Sequence, residues 1–374
     1  MTRLAIVRQK YNPAGGAERF VSRALTALRA QTDLEVYLIA RRWEAIDGIT
    51  HLSANPFYLG NVWRDWGFAR RARVLWQREQ FDLVQSHERI AGCDIYRAGD
   101  GVHRRWLELR RQTLSFWQCL ALWANPYHHY VQRAEAAMFR DPALKLVICN
   151  AEMVKREIQQ LFGVPDERLV VIYNGVDTTQ FHPSLRATFR GSMRQQWQIP
   201  AEAPLLLYVG SGFERKGVAR ALQAIQPFAE LYLVVVGHDK HADRYHQLAA
   251  DLGVAERVRF VGAQQDVKPF YGMADAFILP TLYDPFPNVC VEALASGLPV
   301  LTTPTCGAAE LIVSGENGGV ADALDEAGWQ QLVRDWLAAK SRWTHWQAAA
   351  HHTAEPLTLD AMADRLLAAY RRLL

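Results

Sequence analysis

Short apolar runs alternate with helical patterns along most of the chain, and this alternation constrains the fold more than any other feature. A first series of apolar runs is typical of buried strands at 4–7, 34–40, 81–85, 94–98 and 146–149. A second series follows at 169–173, 205–209, 231–236, 258–261, 276–279 and 300–302. Buried strands separated by helices predict parallel sheets. We therefore expect an α/β protein that contains two Rossmann-like domains.

The length of the chain supports the same division. Its 374 residues, half of them apolar, exceed the usual size of one domain. We place an N-terminal domain at 1–168 and a C-terminal domain at 169–356, because a turn sequence at 174–177 and the extended backbone before Pro183 mark the boundary region. The helical segment 357–374 is long enough to pack on either domain, so packing on the N-terminal domain is an alternative.

Composition excludes several classes of protein. A formal net charge of +3 is too small to indicate a nucleic-acid partner. Five widely spaced cysteines without a CxxC pair argue against a zinc site and against a disulfide framework, and they fit a reducing cytoplasm. The apolar run at the N-terminus is too short for a signal peptide, and no run of about 18 apolar residues occurs. We expect no bound metal and no membrane-spanning segment.

Asp284 and Glu292 flank a turn that leads into a helix. Pro285 and Pro287 forbid helix at the first carboxylate, so the helix is expected to begin near Asn288 and to point backbone N–H groups at an anion. Glu292 then lies about one turn inside the helix, near the ribose of a bound nucleotide. Two carboxylates and a helix start suit a nucleotide sugar. The alternative on the turn alone is an ordinary strand-to-helix connection whose acids face water.

Two glycine segments also follow predicted strands and precede helices. Gly15 and Gly16 let the backbone approach a diphosphate closely, although a merely permissive loop is the alternative. The segment 210–217 joins a glycine turn to Arg215 and Lys216, which can neutralise a leaving diphosphate. NAD binding is disfavoured, because Arg215 replaces the third glycine of the dinucleotide fingerprint and no acidic residue ends the next strand. A solvated cationic helix start remains open.

The order of these blocks resembles the retaining GT-B glycosyltransferases of family 4. The resemblance rests on Gly15-Gly16, on 210–217, on 236–240 and on the seven-residue spacing of Asp284 and Glu292, and it covers most of the chain. Together with the segment 301–307, these blocks more narrowly resemble the lipopolysaccharide core glucosyltransferase group. The resemblance implies the GT-B fold, in which two Rossmann-like domains face each other across a cleft, and a sugar transfer that retains configuration.

The resemblance also implies roles for individual residues. Glu292 is expected to bind the ribose hydroxyls, and Arg215 with Lys216 to hold the diphosphate. Further donor contacts are implied for Gly15, Gly16, Gly262, Phe286, Asn288 and Val289. Asp284 stands where the family usually has glutamate and is followed by proline, which leaves the choice of donor sugar open. Similar enzymes need no metal, so the UDP-sugar is expected as a substrate without a further cofactor.

Asp100 and His103 are the candidates on the acceptor side. Asp100 follows the predicted strand 94–98 and should lie at the carboxyl edge of the N-terminal sheet. It could orient the attacking hydroxyl or accept its proton, although in similar retaining enzymes the donor phosphate is thought to take that proton. We therefore assign no nucleophile. A turn-stabilising role is the alternative for both residues.

The segment 97–133 is basic and aromatic. It contains six arginines against Asp100 and Glu108. Its aromatic residues are Trp106, Phe116, Trp117, Trp123, Tyr127 and Tyr130. Arginine with such rings suits the headgroup region of an anionic bilayer, whereas a core helix with inward rings is the alternative. The resemblance implies a lipid-linked core saccharide as acceptor and a peripheral position on the cytoplasmic face of the inner membrane.

The sequence thus predicts a hexosyltransferase. The favoured reaction moves glucose from UDP-glucose to a heptose-containing lipopolysaccharide core. Galactose, galacturonic acid and an amino sugar are alternatives for the sugar transferred. These sugars differ from glucose by groups that a single side chain can distinguish. A GT-B epimerase or phosphorylase is an enzymatic alternative, and a non-catalytic saccharide- or membrane-binding protein is an alternative of another class.

Overall fold

Two compact units make up the chain. The computed structural model describes residues 2–9, 34–42 and 49–374. One unit is formed by Met1–Asn174 together with Leu359–Leu374, and the other by Gly175–Thr358. Each unit is built on its own parallel sheet with helices between the strands. This architecture confirms the prediction of two Rossmann-like domains.

A seven-stranded parallel sheet forms the centre of the first unit in its described part. Its strands are β1 (Thr2–Val7), β2 (Leu34–Ala40), β3 (Thr50–Ser53), β4 (Leu83–Ser86), β5 (Ile95–Ala98), β6 (Leu146–Cys149) and β7 (Leu169–Val171). They lie in the order β3-β2-β1-β4-β5-β6-β7, with Leu4 of β1 opposite Val36 on one side and Leu83 on the other. The strand order reverses between β1 and β4, and the carboxyl ends at such a switch point are where α/β sheets bind ligands.

Five helices lie between strands in the described part of the first unit. They are α1 (Gly60–Glu79), α2 (His103–Arg111), α3 (Phe116–Ala124), α4 (Pro126–Arg140) and α5 (Glu152–Phe162). The start of α4 follows from its sequence, because Pro126 occupies the first turn and the Asn125 side chain accepts a hydrogen bond from Tyr127 N. In contrast to the other four helices, α3 buries none of its residues. In the described ranges, no helix combines the length and the apolar character needed to cross a bilayer.

The second unit contains a six-stranded parallel sheet. Its strands are β8 (Leu205–Val209), β9 (Tyr232–Val236), β10 (Val258–Gly262), β11 (Ala276–Ile278), β12 (Val300–Thr302) and β13 (Gly318–Val320), in the order β10-β9-β8-β11-β12-β13. Its helices are α6 (Ser184–Gln196), α7 (Phe213–Lys216), α8 (Val218–Ile225), α9 (Ala242–Asp251), α10 (Lys268–Met273), α11 (Asn288–Ala295), α12 (Glu326–Ala338) and α13 (Trp343–Ala354). All strands run parallel, so their carboxyl ends share one edge.

A buried carboxylate fixes the start of β11. Asp275 is almost fully buried and accepts hydrogen bonds from three arginines on one face of α6, namely Arg186, Arg190 and Arg194. Its second oxygen also accepts from Leu205 N at 3.0 Å. A buried carboxylate is tolerated when it is paired and hydrogen-bonded in this way. The cluster therefore anchors β8 and β11 side by side, and these strands lead into the loops of the candidate site.

The predicted start of the C-terminal domain is wrong. The predicted C-terminal domain began at residue 169, but β7 pairs with β6 in the first sheet, with Leu169 opposite Val147. The physical reason is that a short apolar strand carries no residue pattern that identifies the sheet it joins, since membership is set by its backbone partner. The structure divides the chain after Asn174, at the predicted turn.

The C-terminal helix α14 (Leu359–Arg371) belongs to the first unit. Leu366 and Leu367 pack in the same buried cluster as Leu4 and Ile148 of the sheet. The Tyr370 hydroxyl is buried and donates a hydrogen bond to Gln85 Oε1 at 2.7 Å. This helix therefore completes the core under β1 and β4.

We predict that Leu366→Ala destabilises the first unit by about 3 kcal/mol, because truncation leaves a cavity in a closed core. Hydrogen exchange of peptides that cover β1 and β6 measures this change. Leu374→Ala is the matched control, since Leu374 is 62% exposed and its truncation should have little effect. Unchanged protection of β1 in Leu366→Ala would show that α14 does not stabilise this core.

Candidate functional site

Two cations and one carboxylate meet at the carboxyl edge of the second sheet. Lys216 Nζ lies 3.2 Å from Asp284 Oδ2, and Arg215 Nη1 lies 3.3 Å from the same oxygen. Arg215 Nη1 also donates to Tyr283 O at 2.8 Å. Asp284 is buried, whereas Arg215 keeps more than a third of its side chain exposed. The cluster carries one net positive charge, with its guanidinium accessible to an anion.

Backbone hydrogen bonds hold this cluster in place. Leu282 N donates to Arg215 O at 2.9 Å, which joins the loop after β8 to the loop after β11. Asp284 N donates to Thr305 O at 3.1 Å, and Gly307 N donates to Asp284 O at 2.9 Å, which joins the loop after β12 to the same point. These backbone hydrogen bonds therefore fix the position of Asp284, and its carboxylate in turn orients the two cations.

Two glycines let the loop after β8 pass closely under the cations. A Cβ at Gly210 would lie 2.7 Å from Lys216 Cδ, so a larger residue would displace the lysine side chain. Gly217 has a φ of +81°, and a Cβ there would lie 1.9 Å from Pro280 O. Only glycine fits that backbone conformation and that contact. The glycines that the sequence singled out thus shape the segment 210–217, which we call the cation loop.

The helix α11 begins at Asn288, as Pro285 and Pro287 predict. Glu292 lies about one turn inside this helix, where its Oε2 accepts a hydrogen bond of 3.0 Å from the Tyr271 hydroxyl. The same hydroxyl lies 3.2 Å from Val289 O. Tyr271 is buried in α10, so it fixes the orientation of the Glu292 carboxylate. Sequence reasoning missed Tyr271, because nothing in the sequence links a tyrosine 21 positions upstream to this acid.

The remaining donor candidates lie along the same edge of the second sheet. Phe286 is buried in the turn before α11, and Asn288 and Val289 form the first turn of that helix. Gly262 ends β10 with a φ of +71° and accepts a hydrogen bond from Gly237 N at 2.9 Å. Phe286, Asn288 and Val289 thus border the loop that carries Asp284, whereas Gly262 lies two strands away from β8, the strand that leads to Lys216. The sequence candidates Gly15 and Gly16 lie outside the described residues.

Asp239 fixes the start of the cation loop from the neighbouring strand. Its Oδ2 accepts a hydrogen bond from Phe213 N at 2.8 Å, and its Oδ1 accepts one from His241 N at 2.8 Å. Burial opposes ionisation of this carboxyl, but the two backbone donors prevail and lower the pKa of Asp239. An ionised Asp239 therefore holds the turn after β8 against the turn after β9.

A polar cavity of about 290 Å³ opens at the carboxyl edge of the first sheet. Its polar side chains come from the ends of β1, β4 and β5 and from helices α1 and α4. They are Arg8, Gln9, Arg64, Asp65, Glu88, Arg89, Asp100, Tyr127 and Tyr130. Alternating cations, carboxylates and hydroxyls can hydrogen-bond the hydroxyls of a saccharide. Of these side chains, the sequence had singled out Asp100, Tyr127 and Tyr130, the two tyrosines only as part of a membrane-facing segment.

Asp100 lies on the rim of this cavity. Its side chain is 51% exposed, and its Oδ2 lies 3.8 Å from Arg8 Nη1. Glu88 lies deeper, where it accepts a hydrogen bond of 3.0 Å from Gln9 N. Burial raises the pKa of Glu88, although the Arg8 guanidinium counteracts it. The two carboxylates thus have different environments, with Asp100 accessible to a ligand hydroxyl and Glu88 built into the wall.

His103 pairs with a second histidine in the first unit. His103 Nε2 lies 3.1 Å from His128 Nδ1, and His103 N donates to Glu135 Oε1 at 3.0 Å. Burial, with the nearby Arg89 guanidinium and His128, lowers the pKa of His103 to about 3. His103 is therefore neutral at the start of α2, where its backbone and the buried Glu135 carboxylate stabilise the first turn. It does not line the cavity that contains Asp100.

Among the residues that the structure describes, no group of three or more histidines, cysteines or acids is arranged to hold a metal ion. The five cysteines are free thiols, and four of them are buried. Cys290 at the start of α11 has a raised pKa, caused by burial and by the neighbouring Cys306 thiol. The Cys290 thiol is therefore a protonated packing residue behind the cation cluster.

Two family models match the chain. The model described as Glycosyltransferase Family 4 matches residues 14–180, and the model described as Glycosyl transferases group 1 matches residues 189–353. The first corresponds to the unit with the polar cavity and the second to the unit with the cation cluster. Together they cover most of the chain.

Characterised relatives and solved structures agree with these models. The chain is 34% identical to the lipopolysaccharide core biosynthesis glycosyltransferase LpsE of Rhizobium meliloti over 59% of its length and 62% of the relative's. It is 28% identical to the lipopolysaccharide glucosyltransferase WaaG of Escherichia coli over 76% of its length and 75% of the relative's. The crystal structure of WaaG superposes with a TM-score of 0.82 at 24% identity and covers 97% of this chain and 98% of that chain. Anabaena HepE in complex with UDP-glucose superposes with a TM-score of 0.76 at 18% identity, with full coverage of both chains.

We predict that acidification destabilises the first unit through His103. Its folded pKa lies below the unfolded value of about 6.5, so the unfolded chain binds the proton first and stability falls as the pH drops below about 6.5. When the pH is lowered from 7.5 to 5, the unfolding free energy of His103→Gln should fall by about 2 kcal/mol less than that of the unmodified protein. Hydrogen exchange of α2 at both pH values measures the difference.

The matched control for this prediction is His345→Gln, because His345 is exposed on α13. This variant should keep the pH dependence of the unmodified protein. Equal acid sensitivity of His103→Gln and the unmodified protein would contradict the assignment of a neutral, partly buried imidazole.

Proposed function

Since the chain belongs to the family 4 glycosyltransferases with the GT-B fold, we propose that it transfers a hexose from a UDP-sugar to a lipopolysaccharide core acceptor. UDP-glucose is the favoured donor, and a heptose-containing saccharide is the favoured acceptor. The transfer retains the configuration of the sugar and needs no metal. The relatives LpsE and WaaG support the acceptor class, and the UDP-glucose complex of HepE supports the donor class.

The cation cluster beside the start of α11 is the observation that carries this proposal. Arg215 and Lys216 approach one oxygen of Asp284 at 3.3 and 3.2 Å. In the proposed complex, the diphosphate of the donor lies against the outer side of these cations and the first turn of α11. Glu292, held by Tyr271, then accepts hydrogen bonds from the ribose hydroxyls. A nucleoside diphosphate matches this order of positive charge, helix start and carboxylate.

Charge neutralisation is the chemical role that we assign to the two cations. When the glycosidic bond to the β-phosphate breaks, negative charge builds on the leaving UDP. Arg215 and Lys216 stabilise that charge, and their fixed orientation by Asp284 avoids reorganisation at the moment of bond cleavage. The attacking acceptor hydroxyl releases its proton to the donor phosphate. Asp100 orients that hydroxyl, since its carboxylate stands exposed on the rim of the polar cavity.

The polar cavity of the first unit is the acceptor site in this proposal. Its carboxylates, arginines and tyrosine hydroxyls offer both donors and acceptors to sugar hydroxyls, and its arginines suit the phosphate groups of a core saccharide. A lipid-linked acceptor also brings the enzyme to a membrane surface. Phe116, Trp117 and Trp123 support this location, because α3 leaves all three rings exposed.

We predict that Lys216→Ala lowers the turnover number by about 100-fold or more, because one fixed cation facing the leaving group is lost. UDP release with purified core lipopolysaccharide measures the rate, across UDP-glucose, UDP-galactose, UDP-galacturonate and UDP-N-acetylhexosamines. Arg220→Ala is the matched control, since Arg220 pairs with Glu326 outside the site and should keep full activity. Absence of acceptor-dependent UDP release with every donor would contradict the proposed reaction.

We predict that Glu292→Gln weakens UDP binding at least about tenfold, since the amide cannot accept hydrogen bonds from both ribose hydroxyls as the carboxylate does. Titration calorimetry with UDP measures the dissociation constant without chemistry. Glu326→Gln removes an acidic side chain from the same unit and should bind UDP normally. Equal affinity of Glu292→Gln and the unmodified protein would exclude Glu292 from the nucleotide site.

A further inference from the structure

A second exposed apolar surface lies on the first unit, outside the basic aromatic segment 97–133. It is formed by the loop before α1 and by the outer side of that helix. We call it the α1 surface, and its residues are Phe57, Leu59, Trp63, Trp66 and Val74. Phe57 is 74% exposed, and Trp63 and Trp66 are 43% and 49% exposed. Such large rings on one side of a helix indicate contact with an apolar phase or a partner.

The burial pattern of α1 shows why these rings face outward. Phe68, Ala72 and Leu75 are buried and hold the inner side of the helix against the unit. Trp63 and Trp66 stand on the opposite side, and Phe57 packs edge-to-face on Trp63 with a centroid distance of 5.8 Å. The core therefore does not need the two tryptophans, and no element in the described part of the chain covers the surface.

The charge around the α1 surface is positive. Arg64 and Arg78 of α1 pair with their neighbours Asp65 and Glu79. By contrast, no acidic residue in the described part of the chain forms an ion pair with Arg70, Arg71 or Arg73. Arg70 also lies over the Trp66 ring, with its guanidinium carbon 5.7 Å from the centroid. Indole rings beside unpaired guanidinium groups suit the phosphate level of an anionic bilayer.

A groove of about 410 Å³ runs along this helix and has the same character. Trp66 and Val74 of α1 form one apolar wall, and Tyr130 and Ala134 of α4 form the other. Arg70 and Arg73 line it as well. An apolar groove with guanidinium groups can accept the upper part of an acyl chain while its headgroup phosphate meets the arginines.

A hydrogen bond links α1 to the residues that follow α3. The Tyr127 hydroxyl, three residues after the end of α3, donates to Asp65 Oδ2 at 3.0 Å. Asp65 lies between Trp63 and Trp66, so this bond ties the end of α3 to the first turns of α1. Asp65 and Tyr127 also line the polar cavity, so this cavity lies next to the point where α1 meets the start of α4.

From this arrangement we propose that the α1 surface is a second membrane-docking site that binds an anionic phospholipid bilayer together with α3. The inference rests on the proposed function in assuming a lipid-linked acceptor. Two contacts beside the cavity orient the first unit on the bilayer, so that a headgroup-level saccharide enters the cavity without leaving the membrane. One helix alone would let the unit rotate about its point of attachment.

Charge favours a bilayer over a second copy of this chain as the occupant. Pairing two α1 surfaces would bring Arg70, Arg71 and Arg73 of one copy close to those of the other, and like charges in an interface are unfavourable. An anionic surface instead gains from each of these arginines.

The experiment measures partitioning of the full chain into vesicles of phosphatidylethanolamine with phosphatidylglycerol, by co-sedimentation. Trp63→Gln with Trp66→Gln should lower the partition coefficient at least about tenfold, since two rings no longer enter the interface. Arg70→Gln with Arg73→Gln should lower it about fivefold for each arginine, and only when phosphatidylglycerol is present. In the unmodified protein, peptides from 57–74 should gain hydrogen-exchange protection when the protein is bound to these vesicles.

Val313→Gln with Leu324→Gln is the matched control, because both side chains are exposed on the second unit. It should partition normally, and hydrogen-exchange protection of β1 in the tryptophan variant should stay unchanged, which shows that the first unit is folded. Unaltered partitioning of the tryptophan variant would overturn the proposal. So would a lipid-free dimer of the unmodified chain that this variant converts to monomer. Vesicle binding uses neither donor nor acceptor, so its failure is distinct from a failure of UDP release.

Discussion

The Asp284 carboxylate is the interaction on which the candidate site depends. Its backbone is fixed by hydrogen bonds to Thr305 and Gly307, and its side chain collects Lys216 and Arg215 from a different loop. A buried carboxylate between two cations stabilises them where their mutual repulsion would otherwise separate them. Two other features set how closely the strands and loops approach one another. They are the glycines of the cation loop and the three arginines that bind Asp275.

The candidate site of the first unit is a polar cavity and not a cluster of cations around one carboxylate. Its cavity is lined by charged and hydroxyl side chains from three strand ends, and the core beneath the sheet is completed by the last helix of the chain. Helix α3 contributes nothing to that core, and the outer side of α1 contributes little. The exposed rings and arginines of this unit fit the proposed reaction, in which the acceptor is held in a membrane and the donor arrives from water.

Local chemistry made part of this architecture predictable from sequence. Pro285 and Pro287 dictate that α11 begins at Asn288, and alternating apolar runs dictate parallel sheets. Features set by distant partners were not predictable. The sheet that β7 joins depends on its neighbour, and the bond from Tyr271 to Glu292 depends on how α10 packs. Likewise, the amphipathic sequence of α1 does not reveal which side lies inward.

Hydrogen exchange of the full chain with and without UDP-glucose tests whether the edge of the second sheet binds the donor. We predict added protection in peptides that cover 210–217 and 284–295, where the cation loop and α11 meet the diphosphate and ribose. Protection confined to other segments, or no change at donor concentrations that saturate related enzymes, would contradict it.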